Sequence, residues 1–143
     1  MTISQMLFSF SGRINRAKYW LIALAAIAAM IVLVTVLVLA GVFAGELSLI
    51  LLIVLYIPML WVGIAAGVKR LHDRNKTGWW LLFFYLVPVV LQVVGDQLET
   101  PLSFVLYLPA AAISIWMIVE LGFLRGTDGP NQYGPDPLQQ PSA

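Results

Sequence analysis

The sequence predicts an all-α, polytopic membrane protein: a bundle of four transmembrane helices with both termini in the cytoplasm. Of its 143 residues, 61% are hydrophobic and 10% are charged, whereas charged residues make up about a quarter of an ordinary soluble domain. The apolar residues form four long runs, and all eight lysines and arginines lie before the first run, between the second and third, or after the fourth. A chain with this many apolar residues requires lipid as its solvent.

The first twenty residues predict an approach to the membrane. Ile3, Met6, Leu7 and Phe10 have the i, i+3, i+4, i+7 spacing of one helix face. This spacing fits a short helix in the membrane interface, and a loosely ordered N-terminus is the alternative. The aromatic pair that ends at Trp20 is typical of the point where a chain enters hydrocarbon.

The four apolar runs predict the membrane spans of a single membrane domain, residues 1–143. The spans are expected at about residues 19–44, 47–68, 79–95 and 102–123. The third is short, because its apolar core of about 16 residues reaches only about 24 Å, so flanking residues extend it or the membrane thins locally. Glycine and proline exclude a continuing helix after residue 123 and predict a turn-rich cytoplasmic tail, residues 124–143.

The charges predict the orientation. If all four runs span, the N-terminus, the segment Lys69–Trp80 and the tail share one side with every cation. The opposite side then carries only Glu46, Asp96 and Glu99. The positive-inside rule places the basic side, and so both termini, in the cytoplasm. A re-entrant third run would destroy this division.

Lys69–Trp80 is predicted to be a short basic loop at the membrane surface. Together with the basic residues near the N-terminus it forms a positive cluster, and each exposed cation near anionic lipid contributes about 1 kcal/mol. We therefore expect contact with anionic lipid headgroups or with a partner protein. The residues concerned are Arg13, Arg16, Arg70, His72, Asp73, Arg74 and Lys76. A net charge of +1 without a soluble domain excludes nucleic acid.

No catalytic, metal or cofactor site is predicted. The pair His72-Asp73 resembles a general base with its orienting carboxylate, but adjacent residues of a helix point apart. The chain has one histidine and no cysteine, and its carboxylates have no zinc or calcium spacing. The tail glycines do not follow a strand and open a helix, as a nucleotide-binding fingerprint requires.

Two features of the spans are singled out. Glu120 is the only ionisable residue inside an apolar run, near its end, and we expect Arg70 or Lys69 to neutralise it. Gly63 and Gly67 have the G-x-x-x-G spacing that lets helices approach closely. This spacing indicates packing within the bundle or the face of a homo-oligomer.

Three segments together resemble a known family. Phe10–Trp20 is similar to the opening, Lys69–Asp73 with Thr77–Trp80 to the central loop, and Gly126–Pro137 to the closing segment of the bacterial inner-membrane family called domain of unknown function 805, which includes the YhaH-like proteins. The resemblance implies a bacterial inner-membrane protein whose three segments are cytoplasmic. It brings no established activity.

All three segments fall on the same side of the predicted bundle. We therefore expect them to fold together into a small cytoplasmic cap, defined here as residues 10–20, 69–80 and 126–137. Carboxylate–guanidinium pairs and asparagine–backbone hydrogen bonds would order the tail. The residues expected to pack there are Arg13, Arg16, Arg70, His72, Asp73 and Asn131.

The functional expectation is a non-enzymatic inner-membrane protein whose basic cap contacts a partner protein or anionic headgroups. Too few residues lie outside the spans for an independent catalytic domain. Two alternatives stay open: a small oligomeric transporter or channel, and an interfacial enzyme acting on lipid headgroups through His72 and Asp73. The lack of polar residues at mid-depth opposes the transporter.

Overall fold

The computed structural model describes residues 2–39 and 46–139, in which five α-helices and one π-helical turn are the regular elements. The helices are α1 Ile3–Phe8, α2 Arg16–Leu39, α3 Glu46–Asp73, α4 Trp80–Gly95 and α5 Leu102–Ile118, and the π-helical turn Val119–Phe123 follows α5. The part of the predicted first span beyond Leu39 lies outside the described residues.

Among the described residues, three stretches are long and apolar enough to cross a membrane: Arg16–Leu39, Ile50–Asp73 and Leu102–Phe123. The fourth, α4, is apolar but has only 16 residues. The all-helical prediction is therefore confirmed, three of the predicted spans coincide with helices that could cross a membrane, and the third predicted span is a shorter helix.

The prediction of a basic loop over Lys69–Trp80 was partly wrong. Helix α3 continues to Asp73, so the first five residues of that segment form its last turns. The chain then turns tightly: the N–H of Lys76 donates to the carbonyl of Leu71 at 2.9 Å, and Asn75 has a φ of 57°. Asparagine tolerates this left-handed conformation better than most residues.

The helices pair as two antiparallel hairpins. In α4–α5, the most extensively packed pair, Phe84 lies 5.3 Å from the ring of Trp116, and a Cβ on Gly95 would lie 2.5 Å from the ring of Tyr107. In α2–α3, Ile22 packs with Ala66. Helix α1 lies on α3, and its first turn is closed by a capping box from Thr2.

Most of the buried apolar residues form two clusters close to the cap, whereas Leu37 of α2 and Ala110 of α5 are buried farther along the helices. One cluster joins Leu71, Leu81, Phe84 and Leu121, and a second joins Ile14 to the start of the α2–α3 hairpin. Farther along, few residues are buried: 11% of the apolar window in α2 and 17% of that in α3. Many other apolar side chains are exposed on the outside of the helices. Such a surface is favourable in lipid and unfavourable in water.

Candidate functional site

The centre of the cap is the buried carboxylate of Asp73. Arg13 Nη2 lies 3.0 Å from Asp73 Oδ1, and Arg70 Nη1 contacts Oδ2. Arg70 and Asp73 lie on one face of α3 because they are three residues apart in a helix. All three side chains are almost completely buried. Gly126 covers the carboxylate closely, since a Cβ at this position would overlap Asp73 Oδ2.

Arg13 connects the tail to the other two segments of the cap. Its Nη1 donates to the carbonyls of Gly129 at 2.7 Å and Gly134 at 3.2 Å, and its Nη2 donates to Thr127 at 2.7 Å. The N–H of Thr127 in turn donates to the carbonyl of Asp73 at 2.8 Å. One guanidinium thus binds a carboxylate and three tail carbonyls, which agrees with the expectation that such contacts order the tail.

Arg70 joins the cap to the end of the fourth predicted span. Its Nε donates to the carbonyl of Leu121 at 2.7 Å, and its Nη2 donates to that of Leu124. Both acceptors belong to the region where α5 widens into the π-helical turn. A π-helical turn changes the usual i→i−4 ladder, and such turns are frequent at functional sites.

His72 and Asn131 make a second set of contacts. The His72 ring is stacked on Tyr133, with centroids 3.8 Å apart and planes 4° from parallel. Its Nδ1 lies 3.3 Å from the carbonyl oxygen of Gly12. Asn131 Nδ2 donates to the His72 carbonyl and to Thr127 Oγ1, both at 2.9 Å. The His72 ring and the Asp73 carboxylate therefore have different partners.

Glu120 is buried in the π-helical turn, but its predicted partners were wrong. Arg74 Nε lies 3.0 Å and Lys76 Nζ 2.8 Å from Glu120 Oε1. Arg70 instead forms an ion pair with Asp73, and Lys69 donates to carbonyl oxygens of α1. The turn after α3 returns Arg74 and Lys76 toward the end of α5, which a continuous loop over Lys69–Trp80 did not suggest.

The beginning of α2 is tied to the same π-helical turn. Trp20 Nε1 donates to the Gly122 carbonyl at 2.9 Å, and Arg16 Nη1 donates to that of Phe123 at 3.0 Å. A Cβ on Gly122 would lie 2.7 Å from the Trp20 ring. Arg16 itself stays exposed. The π-helical turn therefore accepts hydrogen bonds from both α2 and α3.

Sequence reasoning missed the role of Lys69. This side chain is 0% exposed, and its Nζ donates to the carbonyls of Gln5, at 3.0 Å, and Met6. These carbonyls belong to α1, so the hydrogen bonds from Lys69 hold α1 against α3. The alternation of apolar and basic residues at the end of a span carries no signal for such a contact.

The cations consequently fall into two groups. Arg13, Lys69 and Arg70 are buried and bind groups of the protein. The other five remain exposed or half-exposed around the cap, and we call them the basic rim. The rim consists of Arg16, Lys18, Arg74, Lys76 and Arg125. Within residues 2–39 and 46–139, no group of three histidines or carboxylates could hold a metal ion.

The two glycines of the G-x-x-x-G pattern have different surroundings. A Cβ on Gly67 would lie 2.8 Å from Leu81 Cδ1 of α4, so Gly67 serves close packing inside the chain. A Cβ on Gly63 would meet nothing within 4 Å. Gly63 lines an apolar groove with Tyr56 and Tyr85.

Comparison with known proteins follows the cap segments. The model of the family described as "Protein of unknown function (DUF805)" matches residues 7–135, which include nearly all of the cap. The chain belongs to this family. The family resemblance predicted from the three segments is confirmed.

Similar DUF805 relatives are proteins of Escherichia coli K12. The chain is 34% identical over 140 residues to the "Uncharacterized protein YiiR", covering 95% of this chain and 90% of the relative. It is 32% identical over 130 residues to the "Inner membrane protein YhaI", covering 90% and 85%. For the "Inner membrane protein YhaH" the identity is 29%, covering 92% and 89%. No solved structure matches the chain.

The location follows from these relatives and from the helices. Related proteins are named inner membrane proteins, and the described residues of this DUF805 chain include three helices long and apolar enough to cross a membrane. It is a multi-pass inner-membrane protein, as predicted.

Proposed function

We propose that this protein is a non-enzymatic, four-span inner-membrane module whose cytoplasmic cap presents its basic rim to anionic lipid headgroups. The observation that carries the proposal is the division of the cations. Buried cations hold the cap in one conformation, whereas the rim cations keep solvent-accessible charge at the edge of the cap.

The four-span topology is supported by where the helices end. Helix α3 and the π-helical turn after α5 both end at the cap, because Arg70 of α3 donates to the carbonyls of Leu121 and Leu124 and the carbonyl of Asp73 accepts the N–H of Thr127. Since the stretches Ile50–Asp73 and Leu102–Phe123 are both long enough to cross, α4 must return the chain to the far side. The positive-inside rule favours a cytoplasmic cap.

Accessibility labelling tests this topology. Single cysteines that replace Lys76 and Arg125 should be labelled from the cytoplasm. A cysteine that replaces Glu99 should be labelled from the opposite side. The chain has no cysteine of its own to interfere. Labelling of Lys76 and Arg125 from opposite sides would contradict the four-span topology and the shared cap.

Aromatic residues beside the rim support a position in the headgroup region. Lys76 Nζ lies 5.4 Å from the centroid of the Trp80 ring, and Trp79 is 77% exposed. Exposed tryptophans are typical of the membrane–water boundary. Lys76 therefore combines a cation–π contact with access to headgroup phosphates.

The contacts of His72 and Asp73 favour a non-enzymatic role. A histidine that acts as a general base oriented by an aspartate needs that carboxylate within hydrogen-bond reach of its ring. The Asp73 carboxylate is taken up by two arginines, and the His72 ring lies against Tyr133. Both side chains are thus used to hold the cap.

Replacing two rim lysines by glutamine tests the lipid contact. In Lys18→Gln/Lys76→Gln, Glu120 keeps Arg74 as a partner, so the cap should fold. Two cations contribute about 2 kcal/mol near anionic lipid, so enrichment of phosphatidylglycerol over phosphatidylcholine should fall up to about thirtyfold. The measurement is mass spectrometry of lipid retained by the full-length protein in nanodiscs made from a mixture of both.

The matched control is Lys18→Arg/Lys76→Arg, which keeps both charges and should keep the enrichment. Unchanged enrichment in the glutamine variant would overturn the proposal. Loss of a co-purifying protein from native membranes, with lipid enrichment intact, would instead assign the rim to a protein partner.

A further inference from the structure

A small cavity opens between the beginning of α2 and the tail. Its volume is about 230 Å³, below the roughly 300 Å³ at which pockets for drug-sized ligands begin. The cavity therefore suits a compact group. Polar side chains of both segments line it, together with one apolar residue of the tail: Asn15, Arg16, Arg125, Asp128, Asp136 and Leu138.

The charges that line the cavity are balanced. Arg16 and Arg125 contribute two guanidiniums, and Asp128 and Asp136 contribute two carboxylates. Asp73 also reaches the cavity, but its carboxylate is paired with two arginines of the cap core. A lining with both signs of charge complements a zwitterion better than a simple anion.

The charged groups have capacity left for a ligand. Arg125 Nη2 and Asp128 Oδ1 lie 2.8 Å apart, but the side chains are 68% and 76% exposed. An ion pair that is this exposed contributes little to stability, so its two side chains can separate to bind a ligand. Arg16 uses Nη1 for the Phe123 carbonyl, which leaves further N–H groups of its guanidinium.

Asp136 is the more rigid carboxylate. Its Oδ1 accepts the N–H of Leu138 at 2.9 Å, and its Oδ2 accepts that of Gly129 at 3.0 Å. The hydrogen bond from Leu138, assisted by that from Gly129, lowers the pKa of Asp136. The group is therefore ionised at neutral pH.

The cavity lies beside residues typical of the membrane interface. Arg16 is bonded to the carbonyl of Phe123, whose side chain is 58% exposed. The Phe123 ring packs edge-on against Trp20, with centroids 5.7 Å apart. Because such aromatic residues lie at headgroup depth, a headgroup can occupy the cavity while its acyl chains stay in the bilayer.

We propose that this cavity binds a phosphoethanolamine group, with the phosphate on Arg16 and Arg125 and the primary ammonium on Asp128 and Asp136. Phosphatidylethanolamine carries this group in the membrane, and soluble glycerophosphoethanolamine carries it in water. The cavity shares Arg16 and Arg125 with the basic rim, but Asp128 and Asp136 add two carboxylates, so the cavity selects a zwitterion whereas the rim attracts anionic lipid.

Native mass spectrometry of the full-length protein in detergent tests the proposal. Phosphatidylethanolamine and phosphatidylcholine with identical acyl chains are offered together, and the ethanolamine lipid should be retained preferentially, because its primary ammonium donates hydrogen bonds to carboxylates and the choline group does not. Arg125→Gln and Asp128→Asn should each weaken its retention about tenfold, the effect of losing one charge-assisted hydrogen bond. Glu99→Gln is the control, because Glu99 is an exposed charged residue that belongs neither to the rim nor to the lining of the cavity.

Equal retention of the two lipids by the wild-type protein overturns the proposal, as does a loss of retention in Glu99→Gln equal to that in Asp128→Asn. Displacement of the bound lipid by glycerophosphoethanolamine supports a headgroup site. Binding of glycerophosphoethanolamine without any retained lipid assigns the same chemistry to a soluble ligand. If the wild-type protein shows no preference for the ethanolamine lipid but still enriches anionic lipid, this proposal is wrong and the rim proposal stands.

Discussion

The cap and the apolar parts of the helices are held together by different interactions. In the cap, buried Arg13, Arg70 and Asp73 satisfy one another and the tail carbonyls, and no buried side-chain nitrogen or oxygen of the described residues lacks a partner. Along the spans few residues are buried, and the hydroxyls of Thr35 and Ser114 donate to carbonyls of their own helices.

The difference shows where the arrangement of the helices is specified. Lipid tails are as apolar as leucine, so burial of apolar side chains in lipid gives little preference for one helix arrangement over another. A buried carboxylate bound by two guanidiniums has few alternative partners of the right geometry. We infer that the cap determines how α2, α3 and the end of α5 meet, and that the spans adapt to it.

The largest expected effect comes from removing the central carboxylate. Asp73→Ala leaves the guanidiniums of Arg13 and Arg70 buried without their counter-ion, and breaking a buried pair in this way costs about 3–5 kcal/mol. We expect a lower melting temperature in detergent and rapid proteolysis within residues 124–139. Both are measured on purified full-length protein.

Asp128→Ala is the matched control for Asp73→Ala, because it removes a carboxylate paired with an arginine at the surface of the same cap. It should leave both measurements near the wild-type values, since exposed pairs contribute about 0–1 kcal/mol. An Asp73→Ala protein with an equally protected tail would show that the cap is not held by this carboxylate.

A smaller effect is expected from adding one methyl group in each region. Gly126→Ala forces a Cβ into the carboxylate of Asp73, which Arg13 and Arg70 hold in place. Overpacking of this kind costs about 1–3 kcal/mol, so the melting temperature should fall. The measurement is thermal unfolding in detergent, followed by tryptophan fluorescence.

Gly63→Ala is the counterpart in the spans, where the added Cβ meets nothing within 4 Å. It should be neutral or slightly stabilising, because alanine favours a helix by up to about 1 kcal/mol over glycine. A destabilisation as large as that of Gly126→Ala, or a change of oligomeric state, would place the close contact of Gly63 against a second copy of the chain.

Much of the fold could be predicted because it depends on composition and on the period of the apolar residues. The apolar runs and the position of the cations need no partner to be recognised. The partners of Glu120 could not be predicted, because they depend on where α3 ends and how the chain turns at Asn75. The two glycines Gly63 and Gly67 look equivalent in the sequence, and only the position of Leu81 distinguishes them.

The sequence by itself determined the solvent of this protein, its membrane-spanning helices and the confinement of its cations to three segments, because hydropathy and charge act locally along the chain. Only the tertiary structure decided which cations are buried around Asp73 and which form the rim. The reason is that a buried charge requires specific partners, and several of these partners come from residues more than 50 positions apart.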